Sequence, residues 1–155
     1  MQLHIIAVGK KMPDWVDIAF NDYAKRLKQD HPILLTEIAP EKPGNQSETV
    51  RLEREAQKIR DVISRGSHTL LLNVTGKTYS TQTLAQQFAQ WQSQTSILNF
   101  VIGGADGLAQ TLTNEFRDHW SLSPLTFPHP LVRVLLVEQL YRVVSFLGNH
   151  PYHRE

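Results

Sequence analysis

The chain has 155 residues, of which 41% are hydrophobic and 20% charged, and 16 Lys and Arg against 15 Asp and Glu leave a net charge of +1. One domain of this size buries about 70% of its unfolded surface and needs no staple, and near-neutral charge means that nucleic-acid binding must come from local patches. There is no cysteine, which excludes disulfides, thiolate metal sites and a cysteine nucleophile.

Zero cysteine fits a reducing compartment. No apolar run approaches the ~18 residues of a membrane span, and Met1–Ile5 lack the basic start and cleavage site of a signal peptide. The expectation is a cytoplasmic protein.

Leu3–Val8 is the first strand, closed by Gly9. Pro13 opens a helix on which Trp15, Ile18, Ala19, Tyr23 and Leu27 recur at helical spacing, predicting its buried face. Ile33–Ile38 is the second strand, and Pro40–Asn45 a turn-rich loop. Asn45, with Glu48 three residues on, predicts the cap of a helix burying Leu52, Ala56, Ile59 and Ile63 and stopped by Gly66.

Thr69–Val74 is the third strand. Ser80 or Thr81 caps a helix carrying Leu84, Phe88 and Trp91, with its many glutamines on the wet face. Ile97–Ile102 is a strand, Gly107 starts a helix with Leu108, Leu112 and Phe116, and Leu122–Phe127 is a final short strand broken by Pro124. Pro130 opens a last helix that runs to about Leu147 and stops at Gly148.

Strand and helix alternating five times predict a doubly wound parallel α/β sheet. Ligands of such sheets sit beyond the carboxyl ends of the strands. That points to the loops 9–13, 75–80, 103–107 and 121–130. The last helix is apolar around almost its whole circumference, from Leu131 to Leu147. Such a helix must be covered on more than one side, and a second copy of the chain is the expected cover.

Gly76-Lys77-Thr78 is not a P-loop, because Leu71 stands where the motif needs glycine. Gly103-Gly104-Ala105-Asp106-Gly107 is not a dinucleotide fingerprint, because Ile102 replaces its first glycine. It is a turn whose backbone can approach a ligand closely, or a plain tight turn. Ser121–Pro130 holds three prolines among apolar residues. A stiff segment of this kind can offer backbone groups and apolar walls to a flat ring, or simply be a rigid loop.

Arg133 falls in the first turn of the last helix, against the dipole. An anion bound at the helix start explains it, and so does an ion pair with a carboxylate. Glu138 and Arg142 have i,i+4 spacing, which as a plain helical pair is worth ~0.2–0.5 kcal/mol. The tail Asn149–Glu155 groups two His, a Tyr and an Arg, a composition suited to RNA stacking and phosphate contact. His129, His150 and His153 lack a frame for zinc, and no metal is expected.

Several segments resemble the RlmH family of the SPOUT superfamily. They are Val8–Trp15, Ile102-Gly103-Gly104 with Gly107-Leu108, Ser121-Leu122-Ser123, Leu125-Thr126, Pro128–Val134 and the tail Asn149–Glu155. The resemblance runs from the first strand to the last residue and implies a single SPOUT methyltransferase domain over residues 1–155. It implies an α/β fold with a trefoil knot in the C-terminal region, a homodimer, and S-adenosylmethionine bound near the interface.

By this resemblance the cofactor lies against Leu72, Gly103, Gly104, Leu122, Ser123, Pro124, Leu125, Thr126 and Phe127. Pro124 and Phe127 depart from the family's Ala and Leu, and Pro124 gives up a backbone donor. The implied reaction methylates N3 of a pseudouridine in a 23S rRNA stem-loop on assembled ribosomes. Tyr152, His153 and Arg154 would position the base, Arg133 and Arg154 would contact RNA, and His129 or Glu138 would accept the proton.

Receiver and flavodoxin modules share the alternation but not the residues, since Gly9-Lys10-Lys11 and Asn73 occupy the places of their acidic or hydroxyl-rich loops. The remaining rival is a non-catalytic ribosome- or RNA-binding dimer of the same fold, which would bind no S-adenosylmethionine.

Overall fold

A computed structural model describes residues 1–154, and Glu155, the last residue of the tail motif, lies outside the described residues. Its elements are β1 (Gln2–Val8), α1 (Asp14–Leu27), β2 (Ile33–Ile38), α2 (Glu48–Val62), β3 (His68–Lys77), α3 (Thr81–Gln94), β4 (Ile97–Ile102), α4 (Gln110–Glu115), β5 (His119–Trp120) and α5 (His129–Leu147), followed by a 3-10 turn, Pro151–Arg154. The strands form one sheet in the order β2-β1-β4-β3-β5, and every pairing is parallel.

Alternation along β1 explains the two layers. Leu3, Ile5 and Ala7 face a core shared with α1, α3 and α5, while Ile6 and Val8 face a smaller core shared with α2 and α4. The helices are closed by local chemistry. Ser47 Oγ accepts from Val50 N at 3.3 Å to cap α2, and Ser80 Oγ accepts from Thr83 N at 3.1 Å to cap α3. The α2 cap is thus Ser47 rather than the expected Asn45, which leaves Glu48 in the first turn, where the dipole favours it.

On α1 the inward stripe is Val16, Phe20 and Leu27, with Tyr23 and Ala24 beside it, while Trp15 and Ile18 are 52% and 71% exposed. Leu27 and Tyr23 lie on the expected face, while in the first half of the helix Val16 and Phe20 replace Trp15 and Ala19 one residue on, about 100° around the helix. The last strand is His119–Trp120 and not Leu122–Phe127, which forms an irregular loop. Pro124 and Pro128 have no N–H for a ladder, so pairing ends with the Ser121 N to Lys77 O bond of 2.9 Å.

β3 itself is interrupted between Leu72 and Lys77. Gly76 lets it return to β5, because a Cβ there would stand 2.7 Å from the carbonyl carbon of His119. α4 begins at Gln110 rather than Gly107, since Gly107 adopts φ +80° and its N–H closes a turn onto Gly104 O at 3.1 Å.

α5 packs against α1 and α3 through Leu136, Val137, Leu140 and Val143. Leu131, Val134 and Leu135 are only half-buried and Leu147 is 44% exposed. The chain's own layers therefore cover one side of this apolar helix and not the other.

Candidate functional site

Beyond the carboxyl ends of β3, β4 and β5 lies a cleft of about 870 Å³. That is within the usual size range for a small organic ligand. Its walls come from three segments: 72–75 at the break in β3, 102–107 after β4, and 122–128 after β5, with His129 and Val132 of α5 closing one end. Leu122 and Leu72 are anchored on the main core, while Leu125, 69% exposed, stands at the rim.

Leu72, Gly103, Gly104, Leu122, Ser123, Leu125, Thr126 and Phe127, all expected at the cofactor, line this cleft. Pro124 is exposed and is not among the lining residues. The loop carrying them is fixed by its serines: Ser121 Oγ donates to Ser123 O at 2.9 Å, and Ser123 Oγ accepts from Leu125 N at 3.0 Å.

The glycines of the β4 turn are required by space. A Cβ at Gly103 would lie 2.9 Å from Gly107 O and 3.0 Å from Leu108 Cγ, and one at Gly104 would lie 3.2 Å from Val8 Cγ1. On the outer side of the turn, Arg51 of α2 reaches Asp106 Oδ2 at 3.4 Å. This is a braced turn that exposes backbone, suited to a ligand that comes close.

At the start of α5, His129 Nδ1 donates to Gly103 O at 3.0 Å and Nε2 accepts from Arg133 Nε at 2.9 Å. Arg133 is 1% exposed. Its Nη1 donates to Glu37 Oε2 at 2.8 Å and its Nη2 to Gly9 O at 2.9 Å. Of the two explanations open for this arginine, the ion pair is present. Its guanidinium is turned into the fold and closed off from solvent. Burial, above all, and the Arg133 charge hold the His129 pKa below its ordinary value, against the opposing Gly103 bond and Glu37.

Glu138 forms its expected pair with Arg142 at 2.6 Å and is also held by Gln139 Nε2 at 2.6 Å. Tyr152 Oη donates to the Glu138 carboxylate at 3.2 Å and lies 3.0 Å from Tyr23 Oη. Its ring meets Tyr23 edge-on and Tyr141 at a tilt, with the Arg26 and Arg142 guanidinium groups over its face. Burial first, then Tyr23 and Glu138, push the Tyr152 phenol well above its ordinary pKa. His153 packs on Phe146, its centroid 5.2 Å away, and Arg154 is exposed.

This tail does not share the cleft. Glu138 lies nine residues, about 14 Å, along α5 from His129, and Phe146 about 26 Å. Sequence reasoning pointed to the loop that starts at Thr75 but missed Asn73, Val74 and Trp120 in the lining. An unbroken third strand hides the bulge that turns Asn73–Thr75 outward, where Asn73 Oδ1 accepts from Thr75 N at 3.1 Å. Among the described residues, no group of three or more His, Asp or Glu side chains is placed to hold a metal ion, and no helix is long and apolar enough to cross a membrane.

A doubly wound parallel domain with a part-apolar, part-backbone cleft at the carboxyl edge of its sheet belongs to the class that binds a small organic cofactor. Residues 1–153 match the family model described as a predicted SPOUT methyltransferase. The chain is also similar to the protein named ribosomal RNA large subunit methyltransferase H of Hahella chejuensis, 43% identical over 156 aligned residues and 100% of both chains. A protein of the same name from Methylococcus capsulatus is 41% identical over 155 residues, covering 99% of this chain and 100% of its own. The chain belongs to the SPOUT methyltransferase family and is a methyltransferase, with a methyl donor as its cofactor.

Proposed function

We propose that this chain methylates large-subunit ribosomal RNA in the cytoplasm, taking the methyl group from S-adenosylmethionine and placing it on N3 of a pseudouridine in a 23S rRNA stem-loop of the assembled ribosome. The observation that carries the reading is the match between the cleft and the residues the family resemblance assigns to the cofactor. Eight of those nine residues line one cavity, and full-length relatives bear the name of a large-subunit rRNA methyltransferase.

The residues fit the donor. Leu72, Leu122 and Phe127 give apolar surface for an adenine ring, and the turn at Gly103 and Gly104 brings backbone polar groups to the cavity wall with no side chain in the way. When bound, S-adenosylmethionine supplies an electrophilic sulfonium methyl group. The protein's part is to bind and orient it, to exclude water, and to let the N3 imide proton leave as the N–CH3 bond forms. A base within a stem-loop must be displaced into reach, and Tyr152, His153 and Arg154 are the residues proposed to hold it and its phosphate.

Because the tail and the cleft are far apart within one subunit, this reading requires a homodimer. The uncovered side of α5 with Leu131, Val134 and Leu135, together with Trp15 and Ile18 of α1, supplies an apolar face for a second copy. In a two-fold pair with α5 antiparallel, each tail lies at the cleft of the other subunit. The family's trefoil knot, within a single domain over residues 1–155, belongs to the same proposal.

The test is transfer of labelled methyl from S-adenosylmethionine into ribosomes that lack this modification. Label in 23S rRNA, lost on ribosomes whose target uridine has not been isomerised, supports the proposal. No label, on ribosomes that a control methyltransferase modifies, favours a non-catalytic RNA-binding dimer.

A further inference from the structure

We infer that His129 is a positioning residue of the donor cleft, held by Arg133 with its proton on Nδ1 so that it clamps the Gly103 carbonyl. The inference rests on the reading of this cleft as the donor site.

The assignment follows from what each partner can do. A carbonyl oxygen only accepts, so the 3.0 Å contact with Gly103 O places the proton on Nδ1. A guanidinium only donates, so the 2.9 Å contact with Arg133 Nε uses the lone pair of Nε2. Both ring nitrogens are engaged. The imidazole has no free lone pair with which to take a proton from a substrate, so His129 leaves the set of proton acceptors. It lines the cleft beside Gly103 and fixes the peptide whose shape the cleft depends on.

Arg133 sits at the centre of the device. It ties α5 to Glu37 of β2, to the carbonyl of Gly9 after β1 and, through His129, to the end of β4. Gly9 suits this place because its backbone adopts φ +148°, which other residues rarely take, and a Cβ there would meet Met12 Cε at 3.3 Å. A buried, paired arginine is a poor way to gain stability, since well-packed apolar residues often do as well or better. It also sits at the helix end that disfavours a cation. Fixing one orientation and one tautomer of a cleft residue explains what stability does not.

The charged groups acting on His129 are Arg133 of α5 and Glu37 of β2 behind it, and the turns after β1 and β4 present the Gly9 carbonyl to Arg133 and the Gly103 carbonyl to the ring. Protonation of Nε2 would set its N–H against the Arg133 Nε–H. It would also add a cation to a cleft that takes a sulfonium cation. Burial and Arg133 both disfavour that state.

The test is long-range proton–nitrogen NMR on the full chain with labelled histidine, followed from pH 5.5 to 8 without donor. The expected result is Nδ1–H with a bare Nε2 for His129 throughout. Arg133→Gln is expected to free Nε2 and raise the pH at which the ring titrates, while burial still holds it below its ordinary value. Its KM for S-adenosylmethionine should rise several-fold, more steeply below that pH, with kcat changed less. Arg133→Lys, which can still donate to Nε2, should recover part of the loss. His129→Asn, whose amide can still donate to Gly103 O, should bind the donor within about threefold of wild type, against about tenfold weaker for His129→Ala.

A wild-type His129 with its proton on Nε2, or one titrating near 6.5, overturns the clamp. So does an Arg133→Gln protein with an unchanged tautomer and an unchanged pH profile of KM. A wild-type protein that keeps the expected tautomer but binds no S-adenosylmethionine overturns the donor part of the inference together with the reading of the cleft.

Discussion

Substituting Gly103 by Ala separates a cleft shaped by backbone from one that merely has glycine nearby. The added methyl would meet Gly107 O at 2.9 Å, the Gly107 carbonyl carbon at 3.0 Å and Leu108 Cγ at 3.0 Å. Relief requires the turn to open by roughly half an ångström to reach ordinary van der Waals contact. Two of the three obstacles are main chain, held by the Gly107 N to Gly104 O bond, so the displacement passes into the cleft wall.

Overpacking of this kind costs about 1–3 kcal/mol, and each 1.4 kcal/mol that falls on the binding site weakens the donor about tenfold. The assay is calorimetric titration of S-adenosylmethionine beside thermal unfolding of the same samples. Gly44→Ala, with nothing within 4 Å of the new carbon, serves as the control. Gly107→Ala meets open space but strains a φ of +80°, so it should lower stability by about 1–2 kcal/mol without a steric bump. A Gly103→Ala protein that binds the donor within twofold of wild type would refute the reasoning.

Loss of the Ser47 cap by Ser47→Ala should cost about 1 kcal/mol of unfolding free energy without changing donor affinity, read by urea titration. His4, His31 and His129 all have pKa values held below the ordinary 6.5, in each case chiefly by burial. The unfolded chain therefore binds more protons than the folded one in the acid range. Stability is full above about pH 6.5 and falls as pH drops below it. Urea midpoints at pH 7.5, 6.5 and 5.5 should fall in that order, and a flat series would contradict the burial argument.

The layering of this fold was legible because apolar periodicity and turn chemistry agree along most of the chain. Leu3–Val8 and Ile97–Ile102 read as strands and are neighbouring interior strands of the sheet. α1 was misphased because Trp15 and Ile18 look like core residues by type, and only tertiary packing shows that Val16 and Phe20 point inward. The prolines of 121–130 already argued against a regular strand, and the chain places its short fifth strand just before them.

At the site, the glycine turn and the proline-rich loop could be found because they break ordinary patterns. The bulge of β3 could not, because Asn73 and Val74 read as the end of a regular strand. Arg133 was visible as an anomaly against the helix dipole, but its partner Glu37 lies 96 residues away in sequence. No local rule reaches that far. The distance between tail and cleft is likewise a property of α5's length and direction, which spacing alone does not convert into subunit geometry.

In the proposed dimer the cleft of one subunit works with the tail of the other. The most direct test mixes two inactive proteins: Gly103→Val, which fills the cleft floor, and the double variant His153→Ala with Arg154→Ala, which disarms the tail. Random pairing makes about half of the dimers mixed, each with one competent cleft and tail combination, so co-refolded protein should recover about a quarter of wild-type methyl transfer into ribosomes. Mixed dimers that form, as native mass spectrometry would show, yet transfer no methyl would contradict the account and place cleft and tail in the same chain.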